Sequence, residues 1–175
     1  MKDIILVGSG NVATHLGIAL QNCNYTIVQV YSRSIENAKK LAQQLNTDFT
    51  NDLTQLKTAD LIIVSVNDDA ISTLLSKLRN TAIVHTSGSI GMDVFGPNLS
   101  DFGVFYPLQT FNTDIELIIS DIQFCIEANS KAFENQLVEI ARNLSSNVIT
   151  MNSEQRKQLH IAAIFACNFS NQMFS

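Results

Sequence analysis

Residues 3–17 read DIILVGSGNVATHLG. The apolar run Ile4–Val7 predicts a buried strand, and Gly8, Gly10 and Ala13 fall at the G-x-G-x-x-G/A spacing of a turn that leads straight into a helix. Each small residue has a physical task there. Gly8 permits the tight turn, Gly10 lets the backbone reach a pyrophosphate, and Ala13 lets the helix pack closely on the strand. In this reading Gly8, Ser9, Gly10, Asn11 and Val12 form a dinucleotide cradle, with the free N–H groups of the first helical turn facing the anion. An ordinary glycine-rich turn is the competing reading. The position between strand and helix favours the cradle.

The end of the second expected strand selects the cofactor, because it faces the adenosine ribose. An NAD site usually carries an acid there, about 20 residues after the glycines. Here TIVQVY is followed by Ser32, Arg33 and Ser34, and the first acid is Glu36. A guanidinium flanked by two hydroxyls suits a 2′-phosphate, so the expected cofactor is NADP. The absent acid also counts against S-adenosylmethionine and FAD. A solvated surface charge is the competing reading for Arg33.

Outward from this unit, short β-rich runs alternate with amphipathic stretches, which predicts an α/β fold with a doubly wound, mostly parallel Rossmann sheet. Strands are expected at 3–7, 26–31, 60–66, 81–85, 102–105, 122–128 and 147–151, with helices at 11–22, 34–45, 52–58, 69–78 and 130–145. Runs such as DLIIVSV and AIVH are apolar throughout, as in strands buried on both faces. From Asn152 the texture changes. A helix capped at Asn152 or Ser153 is expected to run to the last residue, apolar nearly all round after Gln158. Residues 1–151 therefore read as the NADP-binding domain and 152–175 as the first helix of a further helical domain cut short here. A dimer contact or packing on the chain's own sheet would also cover such a helix.

Composition narrows the classes. The 175 residues carry 11 Lys and Arg against 16 Asp and Glu, a net charge of -5. Without a basic cluster, neither nucleic acid nor an anionic membrane is an expected partner. No apolar run approaches the roughly 20 residues of a membrane span, and no secretory leader is evident, so a soluble cytoplasmic protein is expected. Cys23, Cys125 and Cys167 lie far apart with no C-x-x-C spacing, and read as reduced, buried small hydrophobes. No metal site is expected.

In open parallel sheets ligands bind beyond the carboxyl ends of the strands. Those ends are polar here, at Ser65-Val66-Asn67-Asp68, His85-Thr86-Ser87-Gly88-Ser89 and Tyr106-Pro107-Leu108-Gln109-Thr110, and the three loops are expected to converge on the nicotinamide. His160, Asn168 and Asn171 fall within about 80° of one another at about 100° per residue, embedded in an apolar stripe where polar groups need partners. Substrate binding, pairing across a dimer and mutual satisfaction are all open to them. His85 closes an apolar strand, Tyr106 has a packing reading as an aromatic, and Ser87 and Ser89 are turn residues lifted only by their place at a strand end.

The stretches GSGNVATHLG, YSRS, VNDDAI, HTSGS, GVFYPLQTF and QLHIAAIFACNFSNQM together make the chain resemble a Rossmann-like NADP oxidoreductase family. Its members pair an NADP-binding domain with a helical C-terminal domain and are related to pyrroline-5-carboxylate reductase and the deazaflavin-dependent NADP oxidoreductases. The resemblance implies that Gly8, Gly10, Asn11 and Val12 hold the pyrophosphate and that Ser32 and Arg33 hold the 2′-phosphate. It implies further that Val66 and Asn67 lie along the nicotinamide ribose, with His85 to Ser89 and Tyr106 to Gln109 on the substrate side. Pyrroline-5-carboxylate reductases carry small residues and a Met-Pro-Asn-type turn at the two corresponding places, so the chemistry has changed on a kept architecture.

The expected function is hydride transfer between NADP(H) and a small C=O or C=N substrate. His160 or Tyr106 would be the proton partner, and His85, Ser87, Ser89, Gln109 and Asn168 would line or orient the substrate. A homodimer through the C-terminal helical region is the expected assembly. A non-catalytic NADP-binding sensor or scaffold is the alternative, since no Lys-based or Ser-Tyr-Lys catalytic set is visible. A sugar-nucleotide ligand is a weaker third reading.

Overall fold

The computed structural model describes residues 1–78, 81–97, 99–109 and 118–173, with side chains described as far as residue 166. Eight strands form one sheet in the order β3-β2-β1-β4-β5-β6-β7-β8. They are β1 (Asp3–Val7), β2 (Thr26–Tyr31), β3 (Asp48–Thr50), β4 (Leu61–Val64), β5 (Ala82–His85), β6 (Phe102–Leu108), β7 (Gln123–Ala128) and β8 (Val148–Thr150). The helices are α1 (Asn11–Asn22), α2 (Ile35–Gln44), α3 (Asp68–Leu75), α4 (Lys131–Leu144) and α5 (Ser153–Met173). This is the doubly wound Rossmann architecture, and the order reverses between β1 and β4, where such sheets open a ligand crevice.

Every pairing is parallel except β6 with β7. Alternate residues feed the two faces. Ile4, Leu6, Ile63, Val84, Phe105 and Phe124 pack against α1, α2 and α4. On the opposite face Ile5, Val7, Ile62 and Val64 pack against α3. Further along that face Val104, Tyr106 and Cys125 meet Met151 and Leu159, which brings α5 over the sheet. Both faces are covered, which is why β1 and β4 are apolar without alternation.

Three expectations are corrected. The helix expected over 52–58 is only a 3-10 turn at Leu53–Gln55, capped by the Asp52 side chain, which accepts from Thr54 N–H. Ahead of it lies β3, a three-residue edge strand with two exposed positions, too short and too wet to show a pattern. The strand placed at 102–105 runs on to Leu108, so Tyr106 and Pro107 belong to β6 rather than to the loop after it. Past Val104, β6 pairs only with β7, as β5 ends at His85 opposite Val104. That one-sided pairing tolerates Pro107 within the strand.

The start of α5 is fixed by a reciprocal cap. Asn152 Oδ1 accepts from Gln155 N–H at 2.9 Å, and Gln155 Oε1 accepts from Asn152 N–H at 3.0 Å. This is the capping-box exchange with Asn and Gln in its two places. Farther along, Ile161, Ile164 and Phe165 are exposed, as a helix apolar all round requires when only one side meets the sheet.

Candidate active site

At the carboxyl ends of β1, β2 and β4 to β6 lies a cleft of about 850 Å³. Its first half is the glycine turn. Gly8 N–H donates to the Tyr31 carbonyl at 2.8 Å, and Ser65 N–H donates to the Val7 carbonyl at 2.8 Å, so the turn is tied to both neighbouring strands. Gly8 has a φ of 126°, and a Cβ there would lie 2.0 Å from the Ser65 carbonyl oxygen. Only glycine fits that backbone without displacement. At Gly10 an added Cβ would meet nothing within 4 Å, so the backbone faces open space where a pyrophosphate can approach. The residues present therefore fit the dinucleotide expected from the sequence.

The end of the cleft expected to face the adenosine is built from β2 and α2. Ser9 Oγ donates to Ser32 Oγ at 2.9 Å, joining the cradle to the end of β2. Arg33 is exposed and lines the cleft, and no carboxylate among the described residues pairs with it. Asn37, one turn into α2, lines the same end and was not anticipated. Ser34 is placed outside the cleft. Its hydroxyl caps α2 by accepting from Asn37 N–H at 3.2 Å and donates to Glu36 at 2.9 Å, so the residue expected to flank a phosphate is spent on the helix start. The Glu36 pKa is held below the usual carboxylate value by the hydrogen bond from its own backbone N–H, then by that from the Ser34 hydroxyl.

The other half brings together Val66, Asn67, Ser87, Tyr106, Gln109 and His160. Tyr106 Oη and His160 Nδ1 share a 2.8 Å hydrogen bond, with the rings edge to face at 5.6 Å. They meet because Gly88 leaves room. A Cβ on Gly88 would lie 2.7 Å from both the His160 ring and Tyr106 Cζ. The side chain of Asn168 lies outside the described residues, as do Thr110 and the side chain of Asn171.

Ser87 and Ser89 form a directed chain. Ser87 Oγ accepts from the N–H groups of Ser89 and Ile90, each at 3.1 Å, and lies 3.3 Å from Ser89 Oγ. Ser89 Oγ donates to Asp68 Oδ2, so the Ser87 proton is the one left to go to Ser89. Ser87 keeps its place in the cleft wall, while Ser89 is turned away behind Asp68. The carboxylate of Asp68, at the start of α3, lines the cleft with the rest of the loop expected there, although it was not singled out as a site residue. The paired acids of VNDDAI were the available signal.

His85 is a correction. It is fully buried, its ring stacks on Phe95 at 5.4 Å, and it does not line the cleft. Strand alternation turns it to the sheet face under the Gly91–Phe95 segment rather than outward. Nδ1 accepts from Ser87 N–H at 3.2 Å, which leaves the proton on Nε2, where no hydrogen bond forms. Burial, then the Arg156 guanidinium, lowers its pKa to about 4, against smaller opposing effects of the Gly91 carbonyl and Asp68. Burial also pushes the Cys125 thiol up to about 11, which makes it an inert core group. Cys23 is half-buried and donates to the Asn143 carbonyl.

A second feature that the sequence did not expose supports this half of the cleft. The Arg156 side chain is fully buried and pairs with Glu127 on β7. It also donates to the Ile90 carbonyl at 2.6 Å. Glu127 in turn accepts from Ser153 N–H at 2.9 Å and from Ser153 Oγ at 2.8 Å. A carboxylate inside the apolar strand QFCIEA was the signal that a cation had to reach it.

Among the described residues no helix is long and apolar enough to cross a membrane, and no group of His, Cys, Asp or Glu is placed to hold a metal ion.

Comparison with known proteins agrees with this geometry. The family described as NADP oxidoreductase, coenzyme F420-dependent, matches residues 3–87, and a domain family of unknown function matches residues 122–175. A solved Bacteroides fragilis structure, assigned by name as an NADP oxidoreductase, is 44% identical, with a TM-score of 0.93 over 99% of this chain and 69% of that one. Pyrroline-5-carboxylate reductase from Streptococcus pyogenes shares the fold at 16% identity, with a TM-score of 0.70 over 87% of this chain and 59% of that one. Glutamyl-tRNA reductase from Saccharolobus islandicus is 24% identical over 160 residues, covering 91% of this chain. The chain spans about one third of the length of that curated relative, 33%.

The buried imidazole gives a stability prediction. His85 has a folded pKa of about 4 against 6.5 unfolded, so its contribution is complete above 6.5 and is lost as pH falls toward 4. The loss should reach about 3 kcal/mol, read as a falling urea midpoint. In His85→Gln the midpoint should be nearly flat between pH 6.5 and 5. An unchanged slope in that variant would assign the loss to other groups.

Proposed function

We propose, since the chain belongs to the NADP oxidoreductase family represented by the Bacteroides fragilis protein, that it moves a hydride between NADP(H) and a small C=O or C=N substrate at the Tyr106–His160 end of the cleft. The cofactor is NADP. The observation that carries the substrate reading is one continuous cleft with a phosphate cradle at one end and a hydrogen-bonded phenol–imidazole pair at the other.

The residues divide the work. Backbone N–H groups from Ser9 to Val12, at the open face of Gly10, suit the pyrophosphate, while Ser32 and Arg33 suit the 2′-phosphate through charged hydrogen bonds. Val66 and Asn67, at the β4–α3 turn, suit the nicotinamide ribose. When bound, the nicotinamide supplies or accepts the hydride. The protein's part at the reacting carbon is to position and to move the matching proton. Tyr106 and His160 share a proton across 2.8 Å, so either ring can give it to a developing alkoxide or amine and draw on the other. Ser87 and Gln109 line the walls beside them. The exposed Ile161, Ile164 and Phe165 support a homodimer or further helical structure over that end of α5.

Two measurements test the reading. Arg33→Ala should weaken NADPH binding about 10- to 100-fold, as loss of charged hydrogen bonds does, and leave NADH binding nearly unchanged. Equal NADPH and NADH affinity in the parent protein would contradict the role of Arg33. With a panel of keto acids and cyclic imines, NADPH oxidation should appear, and His160→Ala should lower kcat by about 10²- to 10⁴-fold. Turnover unaffected by both His160→Ala and Tyr106→Phe would remove the pair from the chemistry.

A further inference from the structure

The buried cation of α5, Arg156, has no place in the chemistry above, yet it is anchored one helical turn ahead of His160, which does. We infer that Arg156 is a positioning residue for His160, and that the Glu127–Arg156–Ser153 cluster sets where that imidazole stands against Tyr106. The inference rests on the reading of His160 and Tyr106 as the proton pair.

The argument is geometric. Register places Val104 opposite Glu127 and Tyr106 opposite Cys125, so Glu127 and Tyr106 share one face of the β6–β7 ladder. α5 lies over that face, with Leu159 packed against Val104, Tyr106 and Cys125. Ser153, Arg156 and His160 are spaced three and four apart, hence on one side of the helix. At the first, Ser153 Oγ accepts from Met92 N–H at 3.1 Å and donates to Glu127. At the second, Arg156 joins Glu127 to the Ile90 carbonyl. At the third, His160 meets Tyr106 over Gly88. The helix is therefore fixed to β7 and to both ends of the Ile90–Met92 loop one turn before it delivers the imidazole.

Two features make this more than general packing. The side chain of Arg156 is wholly withdrawn from water and that of Glu127 is 16% exposed, and their charged hydrogen bond fixes direction as well as proximity. After His160 the apolar side chains of Ile161, Ile164 and Phe165 are exposed, so these three do not anchor the helix to the sheet. The cofactor cradle, on β1, β2 and β4, touches none of the cluster.

The test uses the whole chain labelled with [15N]histidine, with signals assigned by single substitutions of the three histidines. In Arg156→Met the His160 Nδ1 resonance should leave its hydrogen-bonded position for that of a free imidazole, while His15 stays in place. Ser153→Ala, which keeps the ion pair, should move it in the same direction and by less. NADPH affinity should hold in both, and in Arg156→Met kcat should fall about 10- to 100-fold with little change in KM, as misplacement of a catalytic group does. A His160 signal unchanged in Ser153→Ala and in any folded Arg156→Met overturns the inference. A shifted signal with unchanged turnover supports the positioning and overturns the proton-pair reading instead.

Discussion

The ion pair between Arg156 and Glu127 is the constraint on which the placing of α5 over the sheet depends. A guanidinium with no exposed surface is costly unless its donors are met, and here Glu127, Ile90 and Ser153 meet those of the two terminal nitrogens, while Nε is buried without a partner. Breaking such a pair by removing one partner typically costs about 3–5 kcal/mol, because the other charge stays buried. The pair therefore does not tolerate a shift of α5 along the sheet. It also reaches beyond its contacts, since the same guanidinium helps to keep His85 neutral.

The cleft has two halves with different mechanics. The cofactor half is backbone: a left-handed glycine, an open glycine and the first turn of α1, all tied to strands that are buried on both sides. It is rigid because Val7, Val64 and Tyr31 are held in register. The other half is side chain, assembled from β6, α5 and the hydroxyl chain that ends on Asp68. Its geometry depends on Gly88, where one added carbon would push the phenol and the imidazole apart.

The sequence made the first half legible because that signal is local. Strand, glycine spacing, helix and the Ser32-Arg33 pair all lie within 34 residues, and each has a physical reason that needs no distant partner. Sequence offers Tyr106 and His160 only as two separate candidates, because they are 54 positions apart with a reversed strand between them. The reversal of β7 leaves no mark on residues that are apolar either way. His85 misled because a polar residue at a strand end usually points to the ligand, whereas alternation turned this one into the core. Ser34 misled because a hydroxyl beside a phosphate site and a hydroxyl at a helix cap look alike in sequence. Arg156 escaped notice among the charges that open α5, as only the fold reveals which of them is buried.

The central claim is that one cleft holds NADP with its phosphates at the glycine turn and its reactive end at Tyr106 and His160. Amide and side-chain NMR shifts measured on adding NADP⁺, and separately 2′,5′-ADP, test it most directly. The account predicts that both ligands perturb Gly8 to Val12 and Ser32 to Arg33, while only NADP⁺ perturbs Tyr106 and His160. NADP⁺ that leaves Tyr106 and His160 as they are, or 2′,5′-ADP that moves them equally, would contradict it.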